Sequence, residues 1–321
     1  MQYNARLPRR IERPHGGVIR VGISGWTYKP WRGTFYPPGL PHNKELAYAS
    51  GALATIEING TFYSLQRPTS YASWYEQTPP GFQFSVKGPR YITHIRRLRD
   101  IKAPMANFFL SGLLRLNEKL GPILWQFPPN FKFVPEVFEE FLAQLPHSTA
   151  AAAKLFRYCD ARVRGRTWAD IDADRPMRHA VEIRNASFVT PAFPRLLRKY
   201  RAALVTADTA GNWPKLHDVT ADFVYIRLHG AEELYASGYT ESALDEWSAK
   251  ITAWAKGGDA PGVSRVGPAA AKRARRDVYV YFDNDAKVQA PFDALRLAAK
   301  FKPEPSVTAS SLDGRRGNHA G

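Results

Sequence analysis

The chain has 321 residues, 44% of them hydrophobic and 13% aromatic, with a formal net charge of +16 and one cysteine, Cys159. That length suits one large domain or two ordinary ones around a substantial core, and no apolar run approaches the ~18 residues of a membrane-spanning helix. A lone cysteine rules out an internal disulfide and a cysteine-based zinc cluster, and suits a reducing, cytoplasmic setting.

Residues 1–17, MQYNARLPRRIERPHGG, hold four Arg and one Glu. They lack the apolar stretch of a secretory signal and read as a disordered basic arm. The first apolar, β-rich run is 18–23 (VIRVGI). The helical pattern HNKELAYAS follows, with Gly51 as its stop, then a second strand at 54–58 (ATIEI). TSYASWYEQ reads as a helix capped by Thr69 that ends before Pro79 and Pro80, and FQFSVK at 82–87 is the third strand. APMANFFLSGLLRLNEKL has helical apolar spacing and is expected to run to Gly121, ahead of a fourth strand at 122–127 (PILWQF). PEVFEEFLAQL opens with Pro135, a good first-turn residue. Segment 148–178 is longer than an ordinary connection and is expected to continue that helical region and then make an irregular surface excursion.

HAVEIR at 179–184 is the fifth strand, TPAFPRLLRKY a weaker helix because it contains Pro194, and AALVTA at 202–207 the sixth strand. Between 208 and 222 a helix is short or absent. FVYIRL at 223–228 is the seventh strand, and TESALDEWSAKITAWAK has an acidic first turn and Gly257 past its end. Segment 257–276, rich in Gly, Ala, Pro and Arg, reads as a disordered basic insertion. VYVYFD at 278–283 is the eighth strand, APFDALRLAAK the last helix, and 303–321 a disordered tail. There is no internal repeat.

Strands alternating with helices call for a parallel sheet, and eight such units predict a single (β/α)8, TIM-like barrel over 18–302. The competitor, a doubly wound open sheet, lacks a glycine-rich dinucleotide turn here. The charge invites a nucleic-acid partner, but 1–17, 256–277 and 302–321 carry +3, +4 and +1, half of the excess. A solvated basic surface with mobile arms accounts for it as well, so nucleic acid is not favoured as a partner and no membrane is expected.

In such a barrel, function sits at the C-terminal ends of the strands. Those ends read SGWTYKPW, EINGTFY, VKGPRYITHIRRL, WQFPPNF, EIRNASF, Asp208, RLHG and DND. Because side chains alternate along a strand, Glu57 and Asn59 share a face, as do Glu182 and Arg184, and Arg227 and His229. A buried ion without a partner costs several kcal/mol, roughly, so these groups must meet one another, water or a ligand. Mutual neutralisation of Glu57 and Glu182 by Lys87, Arg184 and Arg227 would be structural. An open mouth would make the same groups a binding site.

GISGWTYKPWRGTFYP, EINGTFYSLQ, FSVKGPRYITH, LWQFPPNF, VEIRNASF, YIRLHG and YVYFDNDAK together resemble, in order, the DUF72 (YecE-like) family, whose function is unassigned. The resemblance runs from about Val18 to about Lys300 and implies a (β/α)8-type barrel. It implies rim residues at Trp26, Tyr28, Glu57, Asn59, Phe62, Tyr63, Lys87, Thr93, His94, Gln126, Glu182, Arg184, Arg227, His229 and Asn284. Asp283 stands where the family has the first of two asparagines, and Phe292-Asp293 where it commonly has Asn-Ala.

Glu57 and Glu182 are the candidate general acid and base, Glu182 the better base because Arg184 and Arg227 would keep it ionised, and His229 the proton shuttle. Lys87, Arg184 and Arg227 suit a small polar, anionic ligand. Trp26, Tyr28, Phe62 and Tyr63 could wall it, as for a sugar, or simply cover the barrel top. Thr93 and His94 belong to a basic loop read as a lid or clamp, and Gln126, Asn59 and Asn284 add amides. Ser24 lacks the spacing of a nucleophile elbow. The expectation is an enzyme of isomerase, lyase or hydrolase type working without a cofactor. One alternative is a metal-dependent phosphodiester or nucleic-acid enzyme, with Glu182, Asp208, His229 and Asp283 holding a divalent ion. Arginines beside those ligands count against it. The other alternative is a ligand-binding barrel without catalysis.

Overall fold

The computed structural model describes residues 16–301; the tail 303–321 and nearly all of the basic arm 1–17 lie outside them. Eight strands, β1 (Ile19–Ser24), β2 (Thr55–Ile58), β3 (Gln83–Lys87), β4 (Leu120–Gln126), β5 (His179–Glu182), β6 (Ala203–Asp208), β7 (Phe223–Leu228) and β8 (Asp277–Phe282), form a closed parallel barrel in sequence order. The ring closes where β1 pairs with β8. Each strand coincides within a few residues with an apolar run in the sequence, because parallel strands under helices are buried on both faces.

The helices are α1 (Glu45–Ala52), α2 (Gly60–Tyr63), α3 (Pro68–Gln77), α4 (Lys102–Leu110), α5 (Pro135–Ala143), α6 (Thr149–Ala153), α7 (Ala192–Lys199), α8 (Glu241–Ala255) and α9 (Gln289–Ala299). No helix separates β6 from β7. None among the described residues is long and apolar enough to cross a membrane. Three boundaries differ from expectation. Gly51 lies inside α1, which ends one residue later. The first-turn residue of α3 is Pro68, whose fixed φ suits that position, and Thr69 falls inside the helix with no capping role. The long helix expected up to Gly121 breaks after Leu110. Gly112 has a φ of +116°, and a 3₁₀ turn, Leu113–Lys119, leads into β4.

The excursion 148–178 consists of α6, two short 3₁₀ turns and irregular chain. Segment 257–276, expected to be disordered, has no helix or strand but is tied down along its length. The Arg276 guanidinium donates to the carbonyls of Gly258 and Ala271, the Arg198 guanidinium donates to Pro268, and the Val266 and Gly267 amides donate to Asp218.

Two cores sandwich the strands. The larger lies between strands and helices, with Phe108, Trp125, Phe138 and Trp254 fully buried. The smaller fills the barrel with Leu124, Ala180, Val205, Phe223, Tyr225, Tyr279 and Tyr281. The interior is more polar than the apolar runs suggested. Tyr281 Oη lies 2.8 Å from Thr55 Oγ1, Tyr225 Oη 2.6 Å from Ser85 Oγ, and Tyr279 donates to Gln83 Oε1. Hydroxyls inside need hydrogen-bond partners, and facing strands supply them.

Candidate functional site at the barrel mouth

One step beyond Thr55, Ser85, Ala180 and Tyr225 along the inward faces come Glu57, Lys87, Glu182 and Arg227. The period of two therefore delivers one charged side chain from each of four strands to the same level. Arg227 is the hub. Its Nε and Nη2 donate to the two oxygens of Glu57 at 3.1 and 2.8 Å, its Nη1 to Glu182 Oε2 at 2.7 Å, and its Nη2 also to Asp283 Oδ2 at 2.9 Å. Arg227, Glu57, Glu182 and His229 are all fully buried. The planar guanidinium fork is the side chain suited to gathering three carboxylates.

Each acid has further partners. Glu57 also accepts from the Ser24 hydroxyl at 3.1 Å and the Tyr225 hydroxyl at 2.6 Å. Glu182 accepts from Arg184 Nε at 2.9 Å, so the two same-face residues of β5 and its following turn form an ion pair. Burial would raise the Glu182 pKa, but Arg227 and Arg184 outweigh it and hold the carboxyl well below the usual range. Arg227 and His229 do the same for Asp283 against its burial. Burial would lower Arg227, yet Asp283, Glu57 and Glu182 keep it firmly protonated. Glu57, with few cations near it in sequence, turns out to be the acid that Arg227 grips twice. The sequence could not show this, because the partner comes from across the barrel.

Beside this cluster are groups with spare capacity. Lys87 donates no side-chain hydrogen bond among the described residues, and its Nζ lies 4.3 Å from the centroid of the Phe62 ring. Burial, then the positive charge of Arg227, brings its ammonium down to about 8. Arg184 reaches solvent, stacks over Trp213 at 3.8 Å and donates to the Tyr235 hydroxyl. Asp283 is partly exposed, with its Oδ2 3.0 Å from His229 Nδ1. Asp285 stands beside Tyr28. Burial and the charge of Asp283 push it up to about 8, and one of its oxygens is buried without a hydrogen-bond partner. His94, edge-on to Phe62, is held down to about 4 by burial and by Lys87 and Arg90, and its Nδ1 lies 2.8 Å from Thr93 Oγ1.

The other predicted residues spread out. Trp26, Tyr28 and Asn59 line a neighbouring cavity of about 450 Å³ with His42, Gln66 and Trp74. The Asn59 side-chain oxygen is buried there without a partner. Gln126 pairs in register with Glu182 at the top of β4 and is buried. Tyr63 points into solvent. Asn284 is not brought to the mouth. It alternates with Asp283, faces outward, and donates to Ser237 O and Asp293 Oδ2 under α9. Of the four alternative metal ligands, Asp208 is turned to Lys215 at 2.8 Å and the Tyr239 hydroxyl, Glu182 gives one oxygen to Arg227 and the other to Arg184, and Asp283 gives Oδ2 to Arg227. Among the described residues no group of three His, Cys, Asp or Glu is arranged to hold a metal.

The sequence reading missed Tyr225, Asp285, Trp213 and Tyr235 as members of the site. Tyr225 and Asp285 were reachable, each lying two residues from a residue already chosen, Arg227 and Asp283. Trp213 and Tyr235 come from loops after β6 and β7 and carry no local signal.

The sequence matches the family described as "Protein of unknown function DUF72" over residues 20–315. It is 32% identical to the UPF0759 protein YunF of Bacillus subtilis over 120 residues, 36% of this chain and 41% of that protein. To the UPF0759 protein YecE of Escherichia coli K12 it is 28% identical over 131 residues, 40% of this chain and 45% of that protein. The matched stretches thus span less than half the length of these relatives. Among solved structures, a DUF72 family protein of Thermotoga maritima superposes with a TM-score of 0.67 at 24% identity, covering 88% of this chain and 98% of that one. One from Enterococcus faecalis gives 0.61 at 17% identity, covering 88% and 95%. At these identities the likeness is one of fold.

Proposed function

The chain belongs to the DUF72 family of unknown function, and from the site in this member we propose that it is an enzyme acting by proton transfer on a small anionic or sugar-like molecule at the barrel mouth. One observation carries the reading. Beside a cluster in which Arg227 pairs Glu57, Glu182 and Asp283, the mouth keeps Lys87 and Asp285 close to the pH at which each can gain or lose a proton. Groups tuned in this way from opposite sides of the ordinary range are what general acid–base catalysis requires. Glu57 and Glu182 are then positioning residues that fix Arg227, and Asp283, itself partly exposed, pairs with the buried His229 imidazole. Arg184, with Nη1 uncommitted among the described residues, is the anchor for the anion. The cavity of Trp26, Asn59 and Trp74 suits a neutral, hydroxyl-bearing part of the ligand through ring faces and amides.

The test is a thermal-shift screen of phosphorylated sugars and sugar acids, since a ligand that binds only the folded state raises its melting temperature. A hit should lose most of its shift in Arg184→Ala. A hit that keeps its full shift in that variant would place the binding elsewhere. A second reading, a ligand-binding barrel without turnover, draws on the complete pairing of Glu57 and Glu182. It would be favoured by a bound ligand recovered chemically unchanged.

A further inference from the structure

Two buried lysines in this chain are treated in opposite ways. Lys119 donates to the carbonyls of Tyr75 and Thr78 at 2.6 Å each and to the Thr78 hydroxyl at 3.1 Å. That is how a fold accommodates an ammonium whose task is structural, because a buried cation without hydrogen bonds costs several kcal/mol, roughly. Lys87, equally withdrawn at the end of β3, has no such set. Its carbonyl accepts the Thr61 hydroxyl at 2.6 Å, which fixes the backbone, while the amine is left under the Phe62 ring. Glu57 on β2, Glu182 on β5, Arg227 on β7 and Asp283 after β8 all act on the amine, but each is committed to another partner. His94, acted on by the positive charges of Lys87 and Arg184 and held down to about 4 mainly by burial, remains uncharged at neutral pH.

We propose that Lys87 is a nucleophile that captures the carbonyl carbon of a small aldehyde or ketone bearing a carboxylate or phosphate, forming an imine. This deepens the proposed function and rests on it. The Nζ lone pair forms the C–N bond and the carbonyl oxygen takes a proton, giving a carbinolamine. The attacking nitrogen loses a proton, the hydroxyl takes a second one and leaves as water as the C–O bond breaks, and the nitrogen pair closes the C=N bond. No oxidant or reductant is consumed. The protonated imine draws electrons from the adjacent carbon, so a neighbouring base can remove its proton, which joins the amine to the acid–base groups around it. The lowered Lys87 pKa leaves part of the population as free amine at neutral pH, as the attack requires. Burial and the nearby fixed positive charge of Arg227 are the two features that depress this lysine, and both are known ways to activate one.

The experiment traps the imine with cyanoborohydride in the presence of pyruvate or glycolaldehyde phosphate, with acetone as the uncharged comparison. Intact mass and peptide mapping locate the product. The expected result is one addition, equal to the mass of the carbonyl compound less one oxygen atom, mapped to Lys87 with either anionic probe, much weaker with acetone and lost in Lys87→Arg. Mapping on the unaltered chain does not depend on the variant folding. Labelling spread over surface lysines, with Lys87 not preferred, would overturn the proposal. If anions still give an Arg184-dependent thermal shift but Lys87 stays unlabelled, the imine is wrong and the binding site stands. If neither appears, both fall.

Discussion

Arg227 satisfies three carboxylates at once, and no other side chain could replace it. In Arg227→Met the volume remains but Glu57, Glu182 and Asp283 face one another in a buried site. Losing one partner of a buried ionic cluster costs about 3–5 kcal/mol, and denaturation in urea should show a loss at least that large. A near-neutral result would mean that water reaches the cluster and takes over the pairing. Asp285 works the other way. It holds a proton up to about 8 because burial and Asp283 disfavour its charge. If it is the general acid, turnover on an identified substrate falls as pH rises through that value, and Asp285→Asn removes the activity without removing ligand binding. A profile in Asp285→Asn with the same alkaline limb and the same rate would assign that limb to another group.

Strands carry the site at the next scale up, and their parity decides membership. Asp283 enters the mouth and Asn284 leaves it because consecutive residues point to opposite faces. Helix boundaries obey packing as well as propensity. The apolar spacing of APMANFFLSGLLRLNEKL suits one long helix, but Gly112 presses against α3: a Cβ there would lie 2.5 Å from Pro68 Cα, at a φ that L residues rarely adopt. Gly112→Ala should therefore cost about 1–3 kcal/mol through crowding and strain, read as a lower urea midpoint. An unchanged midpoint would show that α3 and the turn separate freely. Lys119, in the same turn, ties its ammonium to the end of α3, so the break is held from both sides.

Across the whole molecule, several buried or half-buried histidines are held neutral. His179 is pressed down to about 3 by burial, with Nε2 2.7 Å from Pro146 O and Nδ1 accepting from Trp125. His94 and His217 sit at about 4, mainly through burial, and His147 is lowered for the same reason. The unfolded chain protonates these rings near the ordinary 6.5, so between that value and about 4 it binds more protons than the folded chain. Stability should fall as pH drops through that window. Asp285, whose folded pKa is raised, has the opposite sign but is one group against several. Urea midpoints measured from pH 7 to 4 check this, and a flat or rising series toward acid would contradict it.

Much of this barrel is legible in one dimension. The eight strands, their alternation with helices and the missing helix after β6 follow from local periodicity, which depends only on residues a few positions apart. The same alternation placed Glu57, Lys87, Glu182 and Arg227 at strand ends and paired Glu182 with Arg184, its neighbour on the same face. What the tertiary structure alone decided is who neutralises whom. Arg227 reaches Glu57 across 170 positions of sequence, and no spacing rule encodes a bond whose two ends meet only when the ring of strands closes. Closure likewise left the Lys87 amine without a hydrogen-bond partner among the described residues, because the acids that could have paired with it had already been claimed by a guanidinium from the far wall.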